Sequence, residues 1–215
     1  MSVPVLVPVS HLDKGKSRLA DVLTPGQRSE LALATLATVL DAVRDAGCLA
    51  IVLSADAAVR NAVPPPHAAL DESPVHRGLN AQLTHAIDEL GGAEVLILHG
   101  DLPLVTGAAI ASLIRKAPQA LSVTLVESGD GGTNAMLLRP PSVIELHYGT
   151  TSAALHRIAA EESGATLTAV TIPEIALDLD VPGDIDTLLA SENGRTSAAG
   201  SLLRSWGFGA NEADS

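Results

Sequence analysis

Three segments of this chain bring together residue types suited to handling a phosphorylated ligand. The first is Ser10-His11-Leu12-Asp13-Lys14-Gly15-Lys16-Ser17-Arg18, where Lys14, Lys16 and Arg18 put three cations within five positions. Cations so placed can neutralise a triphosphate and the charge that grows on a departing pyrophosphate. The second is Gly100-Asp101, which follows the strand-like run Glu94-Val95-Leu96-Ile97-Leu98 and then His99. A carboxylate there can hold a hard divalent cation that bridges nucleotide phosphates. A turn or helix-entry aspartate is an equally good reading of Asp-Leu-Pro taken alone. The third is Leu177-Asp178-Leu179-Asp180. The period of extended chain puts both carboxylates on one side. Asp178 is expected to share a metal with Asp101, and Asp180 to serve the start of the last helix, where negative charge suits the dipole.

Small-residue loops supply a second kind of site. Gly78-Leu79-Asn80 opens a helix; its glycine lets backbone approach a ligand, and Asn80 can hydrogen-bond a base or ribose, although capping alone also explains it. Gly131-Gly132-Thr133-Asn134 and Gly149-Thr150-Thr151-Ser152 offer hydroxyls and backbone N–H groups, the second at a helix start. Such groups make an anion site when they face a ligand and ordinary caps when they do not.

These residues need a scaffold that gathers them. Apolar runs over residues 3–9, 49–53, 94–98, 122–126, 135–138 and 166–172 read as strands. Pro4 and Pro8 require the first to be irregular at its ends or to lie at an edge. Helical patterns separate the strands. One starts at Thr24-Pro25 and stops at Gly47; others cover 54–63, 79–90, 106–116, 151–162 and 182–190. Strands alternating with helices imply an α/β fold, with a mixed, mostly parallel central sheet covered on both faces. Open sheets of this kind bind ligands at the C-terminal ends of their strands, where all three segments are expected to fall. One domain is expected over residues 1–190. Residues 191–215 read as a polar tail, either a short helix or a free end.

Composition narrows the partners. The net charge is −12 and only Tyr148, Trp206 and Phe208 are aromatic. An acidic surface repels polyanions, and few aromatics leave no base-stacking platform. Neither nucleic acid nor a membrane surface is an expected partner. No apolar run approaches the roughly 20 residues of a bilayer span. Cys48 is the single cysteine, so no internal disulfide forms. A cytoplasmic protein is expected. The seven histidines show no metal-ligand spacing, and His99 is expected to pack or cap. One rival reading is a P-loop NTPase, since residues 10–17 end in Gly15-Lys16-Ser17 and Asp101 follows an apolar strand. Ser10 stands where that loop needs glycine. A catalytically idle nucleotide-binding protein is the other rival.

Taken in order, the motifs resemble the CofC/FbiD guanylyltransferases of deazaflavin coenzyme F-420 biosynthesis. The resemblance rests on Val7-Pro8-Val9 followed by Lys16-Ser17-Arg18-Leu19, and on Gly78-Leu79-Asn80 and Asp101-Leu102-Pro103-Leu104. It continues through Gly132-Thr133-Asn134-Ala135, Arg139-Pro140-Pro141, Tyr148-Gly149 to Ser152, and Leu177-Asp178-Leu179-Asp180-Val181-Pro182. It implies a nucleotidyltransferase fold of the GT-A, Rossmann-like type over residues 1–190. It implies GMP transfer from GTP to a small phosphorylated carboxylic acid, with Mg2+ held by Asp101 and Asp178. Lys16 would join these two in catalysis. Lys14, Arg18, Gly78 and Asn80 would bind nucleotide, and Thr133, Gly149 and Ser152 the acceptor. The family usually has lysine at the position of Ser10, and Lys14 is the nearby substitute. With ten Arg to three Lys, the composition resembles the bacterial branch, where phosphoenolpyruvate is the expected acceptor and 2-phospho-L-lactate the alternative.

Overall fold

The structure is a computed structural model that describes residues 3–209. Seven strands form one sheet: β1 (Pro4–Pro8), β2 (Leu49–Leu53), β3 (Ala68–Leu70), β4 (Val95–Leu98), β5 (Ser122–Glu127), β6 (Thr133–Arg139) and β7 (Thr166–Ala169). Their order is β3-β2-β1-β4-β6-β5-β7. Pairings on either side of β4 and β6 explain the mixed character. The β1–β2, β1–β4, β2–β3 and β5–β7 pairs are parallel, while β6 runs antiparallel to both β4 and β5. The α/β class and the mostly parallel sheet agree with the sequence reading.

The prolines of β1 do not put it at an edge. It is an inner strand, and Pro4 and Pro8 occupy its two end positions, opposite Leu49 and Leu53. A proline at a strand end forfeits few ladder bonds. The three residues of β3 lay in a segment with no apolar run to mark it, and the expected seventh-strand region 166–172 ends early, at Ala169.

Nine helices cover the faces among the described residues: α1 (Pro25–Asp45), α2 (Ala57–Asn61), α3 (Leu79–Leu90), α4 (Gly107–Lys116), α5 (Ser152–Ser163), α6 (Pro173–Ala176), α7 (Pro182–Ala190), α8 (Glu192–Thr196) and α9 (Ala198–Ser205). The cap at α1 follows the sequence signal: Thr24 Oγ1 accepts from Gln27 N, the Gln27 side chain accepts from Thr24 N, and Pro25 opens the helix. Alternation in β1 divides the core. Val5 and Val7 face Leu36, Val39 and Val43 of α1 and Ile110 and Leu113 of α4. Leu6 faces the opposite side, with Leu83 and Ile87 of α3 and Met136 and Leu138 of β6. No helix is long and apolar enough to cross a membrane among the described residues.

The expected polar tail from residue 191 corresponds, up to Gly209, to α8, α9 and a closing turn. Residues 210–215 of that tail lie outside the described residues, as do Met1 and Ser2. Ala199 and Leu203 are fully buried with Leu188 of α7 and with Leu19, Leu31 and Leu179, and Trp206 and Phe208 lean on the same cluster. Small residues there mark close packing. A Cβ on Gly194 would collide with the Leu188 carbonyl, and one on Gly200 with the Gly194 carbonyl. A composition that resembles a linker is here the requirement of helices that touch through their backbones.

Candidate active site

β1 continues into residues 9–16 on one side of the molecule, and β4 into His99-Gly100-Asp101 beside it. The sheet order changes direction between these strands: β2 and β3 lie beyond β1, and β6 beyond β4. A cleft of about 440 Å³ opens there, at the switch point where open α/β sheets bind ligands, and its size suits a small molecule. Gly100 lets the two exits pass closely, because a Cβ there would press on Val9 and Val7.

Lys16, Asp101, Asp178, Asp180 and Gly78 all line this cleft. Leu179 explains how the carboxylates are presented. Its side chain is fully buried in the cluster with Leu19 and Leu203, so the flanking Asp178 and Asp180 are left at the cleft. Its backbone N–H donates to Asp101 O at 3.3 Å, which ties this segment to the end of β4. The Lys16 ammonium donates to Leu179 O at 2.6 Å and lies 3.4 Å from Asp101 Oδ2. Lys16 is buried and adopts φ 53°, ψ 36°, a left-handed conformation that costs a non-glycine residue about 1–3 kcal/mol. Its two contacts join the basic loop to both acidic segments.

The acidic end is under electrostatic tension. Burial and the nearby Asp101 charge push the Asp178 carboxyl up to about 6, against the opposing hydrogen bond from Asn134 Nδ2 at 3.3 Å. Asp101 Oδ1 is buried with no partner. Two carboxylates close enough to repel, one with an orphaned oxygen, form a donor set that a hard divalent cation would satisfy. No group of three or more metal-ligating side chains occurs among the described residues, so such a cation would take its remaining ligands from water and phosphate oxygens. Asp130 adds negative charge from the 128–132 turn, where its Oδ1 accepts from Ser128 Oγ and Gly132 N.

Asp180 pairs with Arg18 at 2.9 Å across the rim, and both side chains are exposed. The carboxylate that serves the start of α7 is Asp184, whose Oδ2 accepts from Asp180 N and Val181 N. Asp184 N also donates to Val181 O at 2.9 Å, so Asp184 completes the turn that Asp180 was expected to serve. Lys14 is exposed, and neither it nor Arg18 lines the cleft. Asn80 does not line it either: its amide donates to Tyr148 O at 3.1 Å and accepts from Tyr148 N at 2.7 Å, which fastens the 147–151 loop to α3.

Thr133, Ser152 and Gly149 gather at the start of β6 and the start of α5. His147 N donates to His156 Nε2 at 3.0 Å, so the ring proton sits on Nδ1 and donates to Thr133 Oγ1 at 3.1 Å. Ser152 Oγ donates to the same hydroxyl at 3.1 Å. Burial holds His156 down to about 4, hence neutral. Thr133 and Ser152 are almost fully buried. Between this network and the carboxylates stands the Tyr148 ring, edge-on to His156 at 5.0 Å and 5.4 Å from His99. His99 packs, as expected, and burial lowers its basicity. Sequence reasoning passed over Tyr148, His156 and Asn134 as individuals. Asn134 donates to the carbonyls of Ile175 and Ala176 and to Asp178, a role that shows only in three dimensions.

The P-loop alternative fails on this geometry. A phosphate loop runs straight into a helix whose first N–H groups face the anion. Here Lys16 is left-handed, only a 3-10 turn (Ser17–Leu19) follows, and α1 begins at Pro25.

Sheet order and cleft position define a nucleotidyltransferase-like fold. The fold matches a crystal structure from Desulfovibrio desulfuricans named for nucleotide-diphospho-sugar transfer (TM-score 0.78, 17% identity, 95% of each chain). It also matches a nucleotidyl transferase from Methanothermobacter (TM-score 0.63, 18% identity, 95% of this chain and 99% of that one). The family described as "Guanylyl transferase CofC like" matches residues 3–215, and the chain belongs to it. Its relatives include the phosphoenolpyruvate guanylyltransferases of Rubrobacter xylanophilus (38% identity, 89% of this chain, 95% of that one) and Conexibacter woesei (33%, 94% and 96%). The 2-phospho-L-lactate guanylyltransferase of Haloarcula marismortui is 36% identical over 94% of this chain and 91% of its own length. This chain is a guanylyltransferase, as the motif resemblance implied.

Proposed function

We propose that the protein transfers GMP from GTP to phosphoenolpyruvate, with Asp101 and Asp178 holding Mg2+ and Lys16 on the triphosphate. The observation that carries this is the pairing of Asp101 and Asp178 at the switch-point cleft, with an orphaned oxygen on one and a proton affinity raised by burial and by repulsion on the other. A bound divalent cation would neutralise that pair and polarise the phosphates. The acceptor's phosphate oxygen forms a bond to the α-phosphorus of GTP. The bond from that phosphorus to the bridging oxygen of the β-phosphate breaks, and pyrophosphate leaves with the electron pair. No protein nucleophile is needed; the chain's share is positioning and charge neutralisation.

Lys16 is the cation nearest the carboxylates, and its short stem contacts leave its ammonium at the cleft wall. Arg18 and Lys14 lie outside the wall and would act on the outer phosphates by charge alone. Gly78, at φ 81°, lets backbone approach the nucleotide, and Asn80 would act through the loop it fastens. Thr133, Gly149 and Ser152 are assigned to the acceptor. With two bonds accepted, the Thr133 hydroxyl proton is left to donate to a carboxylate or phosphate. Residues 1–190 would form the catalytic domain, with the remainder as its buttress.

Names of relatives divide between the two acceptors at similar identities, so the choice of phosphoenolpyruvate rests on the arginine-rich, lysine-poor composition. The reaction is assigned to the cytoplasm, with neither nucleic acid nor membrane as partner. The test is incubation with GTP, Mg2+ and phosphoenolpyruvate, 2-phospho-L-lactate or 3-phospho-D-glycerate in turn. Pyrophosphate and a guanylated phosphoenolpyruvate of the expected mass are the predicted products. A dominant lactyl product overturns the acceptor. Absence of pyrophosphate with every acid overturns the reaction.

A further inference from the structure

Asn80 is engaged by the backbone of Tyr148, so the cleft needs another group to read the base. Its wall also includes Leu53, at the end of β2, Glu72, just past β3, and Gly78 and Leu79 at the start of α3. Glu72 is the acid on this wall that lies apart from Asp101, Asp178 and Asp180, and it makes no ion pair among the described residues. Its neighbour Asp71 is taken up by Arg60 at 2.9 Å.

Placement and rigidity both favour a reading role. Glu72 lies just past the end of β3, three strands from the end of β4 that carries Asp101. At strand spacings near 4.8 Å that is a separation of about 14 Å, enough to set a base edge apart from a triphosphate. The segment holding Glu72 is fixed by Gln82, which accepts from Ser73 N at 2.8 Å and donates to Ser73 O and His76 O at 2.7 Å each. The backbone that carries Glu72 is therefore held one residue from that clamp before ligand arrives, which lowers the cost of ordering the segment on binding.

We propose that Glu72 selects guanine, by accepting hydrogen bonds from N1–H and the 2-amino group of the base. The inference rests on the GTP reading above and names the residue that enforces it. Guanine offers two adjacent donors on that edge, matched to the two carboxylate oxygens in a charge-assisted pair. Adenine turns a lone pair at N1 toward the same carboxylate, which leaves the acid desolvated and unpaired. Hypoxanthine keeps N1–H and lacks the amino group. Xanthine replaces that amino group with a carbonyl, which a carboxylate repels and a carboxamide can satisfy.

The test measures equilibrium binding of GTP, ITP, ATP and XTP by titration calorimetry, with pyrophosphate release alongside, for the wild type and Glu72→Gln. Wild type should bind GTP over ITP and ITP over ATP. Glu72→Gln should lose GTP affinity by about 10- to 100-fold, the worth of a charged pair, and gain affinity for XTP over the wild type. A gain cannot come from misfolding. An unchanged GTP-to-XTP ratio in the variant overturns the assignment of Glu72. Wild type that binds GTP yet releases no pyrophosphate with any acceptor overturns the transfer reaction alone, since the binding ratio still reads the base.

Discussion

Two polar regions stand at the ends of the adjacent strands β4 and β6 and are built on opposite terms. The side-chain nitrogens and oxygens of Thr133, Ser152 and His156 each have a partner, and the imidazole is held neutral by burial. Around Asp101 and Asp178 a carboxylate oxygen lacks a partner and a second carboxyl resists ionisation. A network in which each of these atoms is bonded is rigid and adds to stability. A set of charges that repel is a standing cost, and it persists where a ligand will relieve it. On the proposed function, the difference would separate a scaffold that shapes the acceptor end from a receptor that takes up charge.

The strongest way to break this comparison is to remove charge from the receptor. Asp101→Asn and Asp178→Asn should each cut turnover by about 100-fold or more, the scale of losing one electrostatic contact to the reacting phosphate, while circular dichroism stays native. Near-normal turnover in Asp101→Asn would remove it from the metal. Next in size is the scaffold. His156→Ala leaves His147 N–H and the Thr133 hydroxyl short of a buried partner and should lower unfolding free energy by about 2–4 kcal/mol, measured in urea. A loss in activity with unchanged stability would make His156 a substrate contact instead.

The two regions should also answer pH in opposite directions. His156 has a folded value near 4, below its usual 6.5. Its contribution is therefore present above about 6.5 and lost as pH falls toward 4. Asp178 has a folded value near 6, above its usual 3.8. The folded state binds its proton more tightly, so its charged form destabilises above about 6, and that cost fades as pH falls toward 3.8. Metal-free Asp178→Asn should melt higher than wild type at pH 7.5 and lose that advantage near pH 4. Added Mg2+ should narrow the gap at pH 7.5. A wild type that melts higher without metal at pH 7.5 would contradict the repulsion.

The smallest effect is expected at the rim. Asp180→Asn breaks an exposed pair with Arg18 worth about 0–1 kcal/mol, and turnover should fall less than in Asp178→Asn. Equal losses at the two positions would bring Asp180 into the metal's own ligand set.

Much of the frame was legible from one chain. The run before Asp101 and the alternation in Asp178-Leu179-Asp180 follow from strand periodicity, a local property of the backbone. The same holds for the cap at Thr24. The basic loop was visible as a cluster of charge, and the family as an ordered set of short motifs. Less legible were β3, three residues long, and the 191–209 helices, whose glycines and serines carry the same composition as a linker.

Tertiary structure alone decided which of these residues share the cleft. Sequence spacing cannot distinguish Asn80 turned to a ligand from Asn80 bonded to Tyr148, because the partner lies 68 positions away. Nor can it show that Lys16 reaches Leu179 across 163 positions, or that Asp101 and Asp178 come close enough to repel. Those facts depend on which strands are neighbours and in which direction they run. Chain composition and period determine the elements; the burial that raises one carboxyl and orphans another arises only when the elements close on one another.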